Sequence, residues 1–393
     1  MTFTLRPYQQ EACDLAIEFF KNPKEKHKPI IYAPTAAGKS LYIGYIGSHM
    51  RHFGGVLVLQ HSIELLEQNF AKFEACGGSG NIYSAGLNQK EIGHTTFATI
   101  GSVKSKASDF QHIKYVLIDE CHLVPPSEKR ARKKSMYIEL LEALPDVKVL
   151  GLTATPFRMK RYNFPEPHSK INLLTRESPR FFNKFLHLTQ IKELYEMGYL
   201  SPLSYYQTIW NNQRLVMNKA GSEFTDESID YSVKVQNIMA KLPGVIETAI
   251  RKGRKHIIVF VRNIADAEQL ACVVPNSACI HSKLNKQDRK RILHDFKSGK
   301  ITTIFNVSVL AIGFDFPQID VVILARPTLS MALYIQMVGR GVRIHEQKEN
   351  CVLVDLCGNV ERFGNFEDIE LVIDGKGVAY MQSNGKILTG VKM

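Results

Sequence analysis

Three groups of side chains along this sequence have the types and spacing for phosphate chemistry. The first is Ala33-Pro34-Thr35-Ala36-Ala37-Gly38-Lys39-Ser40, which follows the apolar run Ile30-Ile31-Tyr32 and opens a helical pattern. That setting is the one a phosphate-binding loop requires, because backbone N–H groups of the loop and of the helix start point at an anion. Thr35, Ala37 and Gly38 would line the cradle, Lys39 would reach the outer phosphates and Ser40 would hold Mg²⁺. The second group, Asp119-Glu120-Cys121-His122, ends the apolar run Tyr115 to Ile118 about eighty residues downstream. At the carboxyl edge of a parallel sheet the Asp would bind Mg²⁺ through water, and the Glu would position and deprotonate an attacking water. The third is Gln336-Met337-Val338-Gly339-Arg340-Gly341-Val342-Arg343. Two arginines three residues apart share a face if the segment is helical, and a guanidinium grips phosphate with two donors. Lys39, Glu120, Arg340 and Arg343 are thus the candidate catalytic residues, with Ser40 and Asp119 as the magnesium ligands.

Two positions depart from the usual phosphate-loop pattern. Ala33 and Ala36 stand where glycine is common. An alanine is strained wherever the loop demands positive φ.

The elements that would carry these groups alternate between short apolar runs and amphipathic stretches. Ile30 to Tyr32, Val56 to Leu59, Phe97 to Ile100, Tyr115 to Ile118 and Val147 to Leu150 are rich in β-branched types, and stretches such as Ile63 to Phe73 separate them. This is a βαβ rhythm, hence a buried parallel sheet with helices on both faces. From about Arg158 to Pro202 the chain is polar, basic and proline-dotted, with one helical pattern near Gln190 to Met197 ended by Gly198. A second βαβ series follows: His256 to Phe260, Ala278 to Ile280, Ile301 to Phe305, Val321 to Leu324 and Val352 to Val354. The fold class is α/β, with two parallel-sheet domains in tandem. The expected boundaries are 1–160, a connector over 161–202, 203–365, and a hairpin tail over 366–393 with Asp374-Gly375 and Asn384-Gly385 as turns.

Composition agrees with two globular cores. The chain has 393 residues, 45% of them apolar, too many for one ordinary core. Lys and Arg number 50 against 38 Asp and Glu, a surplus of +12 that suits a polyanionic partner. The clearest concentration is Lys129-Arg130-Ala131-Arg132-Lys133-Lys134, just after Pro125-Pro126. We read these five charges as phosphate contacts, against the alternative of a solvated basic surface. The seven cysteines include no C-x-x-C pair, which implies reduced thiols and no zinc site. His281 after a strand end could touch nucleic acid or be a satisfied loop group. The start lacks the regions of a signal peptide and no apolar run reaches about 18 residues, so a soluble, cytoplasmic protein without a membrane partner is expected.

Taken in order, these motifs resemble those of superfamily 2 helicases of the DExH type, P-loop NTPases with two RecA-like domains. The resemblance covers about residues 3–365. Leu5-Arg6-Pro7-Tyr8-Gln9 looks like the adenine-reading motif, implying Arg6 and Gln9 as nucleotide contacts. Gln60-His61 and Thr99-Ile100-Gly101-Ser102 fall at motifs that contact nucleic acid, implying Gln60, Thr99, Gly101 and Ser102. Thr153-Ala154-Thr155-Pro156 looks like the coupling motif, so Thr153 and Thr155 join His122 and Gln336 as residues linking the two sites. Val307 to Asp315 resembles a further motif, implying Ser308 on nucleic acid and Gly313 and Asp315 at the nucleotide. Cys121 reads as a packed thiol. ATP would lie in the cleft between the domains, with nucleic acid across both. Within the superfamily the chain is most similar to the RadD family of bacterial DNA-repair helicases, through Phe3 to Ala12, Ser84 to Leu87, Gly198 to Leu200 and Asn306 to Leu310. That implies single-stranded or branched DNA, single-strand-binding protein as a partner, and a nucleoid-associated place in a bacterial or phage-infected cell. The cysteine-rich zinc-binding region of that family has no counterpart after Cys357, as in a short phage or mobile-element relative. An RNA helicase of the same fold and a nucleotide-gated binding protein remain as alternatives.

Overall fold

The computed structural model describes residues 4–125, 135–163, 168–307, 309, 315–374 and 379–388. It divides into one unit of residues 1–158 and 172–190, and another of residues 159–171 and 191–393.

In the first unit the elements run α1 (Pro7–Lys21), β1 (Pro29–Tyr32), α2 (Lys39–Met50), β2 (Gly55–Gln60), α3 (Ile63–Ala75), β3 (Asn81–Ser84), β4 (Gln89–Lys90), β5 (Thr95–Thr99), α4 (Ile100–Val103), β6 (Ile113–Asp119), α5 (Met136–Glu142) and β7 (Lys148–Thr153). After β7 the chain passes into β8 (Phe157–Tyr162) and β9 (His168–Leu173), a two-stranded sheet whose residues 159–171 belong to the second unit, and returns to the first unit for β10 (Lys184–Leu188). The main sheet has the order β10-β1-β7-β6-β2-β5-β3-β4 and is parallel apart from the β3–β4 hairpin. All six residues of β2 are buried. A strand covered on both faces has no polar side to offer, so it reads as a continuous apolar run. Helix α2 packs against both α1 and α3, while Ile100, Val103, Ile138 and Leu141 of α4 and α5 join Leu57, Leu59, Val116 and Ile118 in one core. The first turns of α3 and α5 are capped by Ser62 and Ser135, whose hydroxyls accept from the N–H groups of Leu65 and Ile138.

The second unit runs α6 (Ile191–Glu196), β11 (Leu203–Gln207), α7 (Asp226–Val235), α8 (Ile238–Arg251), β12 (Ile257–Phe260), α9 (Ile264–Val273), β13 (Ser277–Ile280), α10 (Lys286–Lys297), β14 (Thr303–Asn306), β15 (Val321–Leu324), α11 (Met331–Val338), β16 (Cys351–Asp355) and α12 (Asn359–Phe363). Its sheet, β11-β16-β15-β12-β14-β13, is parallel throughout. The tail forms a small antiparallel sheet of β17 (Ile369–Ile373), β18 (Ala379–Ser383) and β19 (Lys386–Ile387). Asn384 and Gly385, with φ of 47° and 75°, make its second turn.

Two readings of the sequence change. Residues 184–188, expected within the connector, are the edge strand of the first sheet, in parallel register from Pro29↔Lys184 to Tyr32↔Leu188. Lys184-Phe185-Leu186-His187-Leu188 is half-exposed and mixes polar with apolar types, so it lacks the apolar continuity that marks the interior strands. The segment Gln336 to Arg343 is only partly helical: α11 ends at Val338, and Arg340 and Arg343 lie beyond it. They therefore share no helix face. Two glycines close the helix, and Gly341 passes so near β16 that a Cβ there would stand 2.4 Å from Cys351 Sγ.

Candidate functional site

The loop after β1 is shaped by two left-handed residues, Ala36 at φ 71° and Gly38 at φ 88°. Alternating hand turns successive N–H groups to one side, which makes an anion-binding concavity, and α2 begins immediately at Lys39. Gly38 is required twice over, since a Cβ would also meet Gln9 Nε2 at 2.7 Å. Gln9 donates to the Ala37 carbonyl at 2.8 Å, Tyr8 donates to the same oxygen at 3.1 Å, and Gln9 Oε1 accepts from the Arg6 amide at 2.9 Å. The residues expected to read adenine are thus locked onto the phosphate loop.

Asp119 ends β6, and the chain turns sharply through Glu120 at φ 48°. That turn brings Glu120 into an ion pair with Lys39. Both acids are nearly buried, at 2% and 7% exposure. Burial pushes the Asp119 carboxyl up, against the pull of Lys39, and Glu120 beside it adds to the rise. Burial would raise Glu120 as well, but Lys39 and His122 outweigh it and hold that carboxyl below the usual range. Asp119 has Asn69 on one oxygen at 2.8 Å and the Glu120 amide on the other at 2.9 Å. Glu120 Oε2 is buried and makes no hydrogen bond. A buried acidic pair reached by Lys39, whose chain neighbour is the helix-start residue Ser40, fits a divalent cation better than it fits an empty core.

His122 carries the site toward β7. Its Nδ1 lies 2.8 Å from Thr153 Oγ1, 3.1 Å from Thr155 Oγ1 and 3.3 Å from Glu120 Oε2. Arg158 fastens the turn by donating to the carbonyls of His122 and Val124 while paired with Glu177. Cys121 is fully buried with its thiol pushed well up by desolvation, as a packed thiol should be.

Sequence reasoning missed Asn69, Arg158 and Lys348. Asn69 carried a signal: it sits four residues from both Leu65 and Phe73, a polar residue on the apolar face of α3.

At the carboxyl end of β5, Thr99 Oγ1 lies 2.8 Å from Ser102 Oγ, and Ser102 accepts from the Ala85 amide at 2.9 Å. Gly101 faces open space. Gln60 is different: it is fully buried, and its amide donates to the carbonyls of Val58 and Ala98. Its side chain is spent on closing the end of β2 and is withdrawn from the surface, unlike that of an exposed nucleic-acid contact. Lys129, Arg130, Arg132, Lys133, Lys134, Ser308 and Gly313 lie outside the described residues.

In the second unit Arg340 is 6% exposed, and Arg343 Nε stands 3.2 Å from Asp315 Oδ1. Burial disfavours the Arg343 charge, and Asp315 counters this only in part. Asp315 therefore serves as partner to Arg343, a relation the sequence did not suggest. Lys348 Nζ donates to the carbonyls of Pro317, Ile319 and Gly341 at 2.9, 3.1 and 2.9 Å, holding the arginine-bearing loop from below. Gln336 is half-buried on α11.

A phosphate cradle opening a helix after β1, with a buried acidic pair at the end of β6, a parallel strand separated from β1 by β7 alone, defines a P-loop nucleotide hydrolase. Residues 2–158 match the family model of the type III restriction enzyme res subunit, and residues 238–345 match the helicase conserved C-terminal domain. The chain belongs to the superfamily 2 helicases, and its two units are the tandem RecA-like domains of their ATP-hydrolysing core. A 51.5 kDa protein of a Lactococcus phage is 25% identical over 83% of this chain and 65% of its own length. A protein of Schizosaccharomyces pombe named for a mitochondrial ATP-dependent helicase, irc3, is 24% identical over 91% of this chain and 58% of its own. The chain thus spans about three-fifths of the curated relatives it matches. Among solved structures, a fragment named for the HsdR subunit of a type I restriction enzyme from Vibrio vulnificus superposes with a TM-score of 0.69, at 20% identity, over 95% of this chain and 70% of that one. Among the described residues no helix is long and apolar enough to cross a membrane.

Proposed function

We propose that this chain is a motor that couples ATP hydrolysis to movement on, or remodelling of, single-stranded or branched DNA in repair, recombination or replication. The observation that carries the reading is the Lys39–Glu120–Asp119 cluster at the mouth of the left-handed loop. Lys39 leaves Glu120 to neutralise the outer phosphates, and Ser40 and Asp119 would hold Mg²⁺, which would supply screening of the phosphate charge. Glu120, then free, takes a proton from the attacking water. Arg340 and Arg343 stabilise charge on the transferred group, while Arg6 and Gln9 read the adenine and Thr35, Ala37 and Gly38 line the loop.

DNA is favoured by the restriction-enzyme family match of the first unit and by the motifs shared with the RadD family. Thr99, Gly101, Ser102, Ser308 and the basic run from Lys129 to Lys134 are the proposed nucleic-acid contacts, mostly to phosphate. His122, Thr153, Thr155 and Gln336 link that surface to hydrolysis. Single-strand-binding protein is the proposed partner, in the cytoplasm of a bacterial or phage-infected cell. The test compares ATPase stimulation by single-stranded DNA and RNA of equal length, then unwinding of forked, bubble and Holliday-type DNA. Stimulation by DNA with displacement of one strand supports the reading. Stimulation by RNA alone would make the chain an RNA helicase, and phosphate release below one turnover would make it a nucleotide-gated binding protein.

A further inference from the structure

Away from the nucleotide loop, Glu268, Cys279 and His281 bring a carboxylate, a thiol and an imidazole together in the second unit, each offering a ligand atom within 4.8 Å of the others. Cys279 is in β13 and His281 follows it directly, two residues apart and so on one face of the extended chain. Helix α9, which packs against β13, supplies Glu268.

His281 makes this more than a chance grouping. It is 6% exposed, its Nδ1 makes no hydrogen bond, and its Nε2 stands 3.6 Å from Glu268 Oε1. That separation is too long for a hydrogen bond. A buried imidazole nitrogen without a hydrogen bond, as at Nδ1, is an unfavourable arrangement in an empty site. Glu268, by contrast, is 58% exposed on its side chain and free to swing.

We propose that Glu268, Cys279 and His281 form a binding site for one Zn²⁺ ion, which ties the edge strand β13 to α9. Sulfur, nitrogen and oxygen donors together suit a borderline-soft ion. Mg²⁺ and Ca²⁺ prefer all-oxygen shells, so the site does not compete for the cation of the nucleotide. Ordinary zinc–ligand bonds would place the three donors about 3.5 Å apart, closer than the 4.8 Å within which they lie without the ion. Glu268, the exposed member, already stands 3.6 Å from His281 and can adjust further. On binding, Cys279 loses its proton to solvent and becomes a thiolate. The fourth position falls to water or to Cys272, which lies one turn after Glu268 on α9. The expectation of no zinc rested on the lack of a C-x-x-C pair. The pattern Cys279-x-His281 gave no such signal, because its third ligand comes from a helix eleven residues earlier.

The experiment uses the tag-free full chain, stripped with EDTA and titrated with Zn²⁺ against a chromophoric chelator. One equivalent should bind. Co²⁺ in its place should give a thiolate-to-metal charge-transfer band. Cys279→Ser and His281→Ala should each weaken Zn²⁺ binding by more than about 100-fold, above what loss of a mere supporting group costs. Cys279→Ser should also abolish the cobalt band. Glu268→Gln alters an exposed side chain, keeps the fold, and should weaken binding at least tenfold. No stoichiometric binding by the wild-type chain, or binding and a cobalt band unchanged in Glu268→Gln and Cys279→Ser, would overturn the proposal.

Discussion

Lys39, the first residue of α2, is ion-paired with Glu120 at the turn that ends β6, with only 16% and 10% of the two side chains exposed. The cation that should meet the nucleotide and the base that should activate water hold each other in place. A pair withdrawn from water this far is strongly destabilised when one partner is removed. Lys39→Ala should abolish hydrolysis and weaken ATP binding, because the outer phosphates lose their main counter-charge. Glu120→Gln should stop turnover while ATP binds as well as before or tighter, since Lys39 no longer has a carboxylate to leave. Fluorescent-nucleotide titration beside phosphate release separates the two. Equal loss of ATP binding in Glu120→Gln would count against the water-activating role.

Arg343 is held at 3.2 Å by Asp315 and is not on α11. A guanidinium stabilising the transition state acts on turnover and hardly on ground-state binding. Arg343→Ala should therefore lower kcat by about 10³-fold or more with KM little changed. Arg343→Lys should rescue poorly, since an ammonium lacks the planar fork. A variant altered only in KM would remove Arg343 from this role.

The nucleotide half of the site was readable because its residues are close in sequence or sit at strand ends. Apolar β1 followed by Gly-Lys-Ser, and apolar β6 followed by Asp-Glu, are local patterns that a parallel sheet brings to one edge. What escaped depends on distant chain. Asn69 meets Asp119 fifty residues on, and Lys348 meets carbonyls on both sides of β15. The burial of Gln60 was hidden too, because a polar residue at a strand end reads equally as a site residue or as a cap on the sheet. The break in α11 was written in Gly339 and Gly341, but the arginine spacing suggested a helix more strongly.

The loop anchored by Lys348 gives a pH signature. Burial lowers this amine from 10.5 to about 8. Between those values the unfolded chain binds a proton that the folded chain does not, so stability must rise with pH across that window. The slope approaches 1.4 kcal/mol per pH unit, about 3 kcal/mol over the whole interval. The buried thiols Cys13 and Cys351, pushed up by burial, act in the opposite sense above about pH 9. The difference between wild type and Lys348→Met isolates the lysine. Denaturant midpoints measured from pH 7 to 10.5 should diverge in favour of wild type as pH rises, and parallel curves would refute the assignment.

Ala36 holds φ at 71°, where a Cβ is strained. Ala36→Gly should relieve about 1 kcal/mol in the folded loop, partly offset by the extra freedom of glycine in the unfolded chain. Stability should stay level or rise slightly and ATPase activity should be kept. A several-fold loss of activity would show that the methyl group packs against something the loop needs.

The last test concerns Lys129-Arg130-Ala131-Arg132-Lys133-Lys134, five basic residues in six. They precede α5, which begins at Met136. Positive charge ahead of a helix N-terminus opposes the macrodipole, so the run does not serve the stability of α5. Its position in the sequence is between the acidic turn at Asp119 and the Thr153–Thr155 motif, and none of its residues belongs to the phosphate loop. Replacing the five with Gln should weaken binding to DNA whatever its sequence, because phosphates carry no base information. For each phosphate no longer neutralised, the plot of log affinity against log salt should flatten by roughly 0.7–0.9. ATPase activity without DNA should hardly change, while the DNA concentration for half-maximal stimulation should rise. An unaltered affinity and slope between about 50 and 200 mM salt, the range over which such charge pairing dominates, would leave the run as ordinary solvated surface.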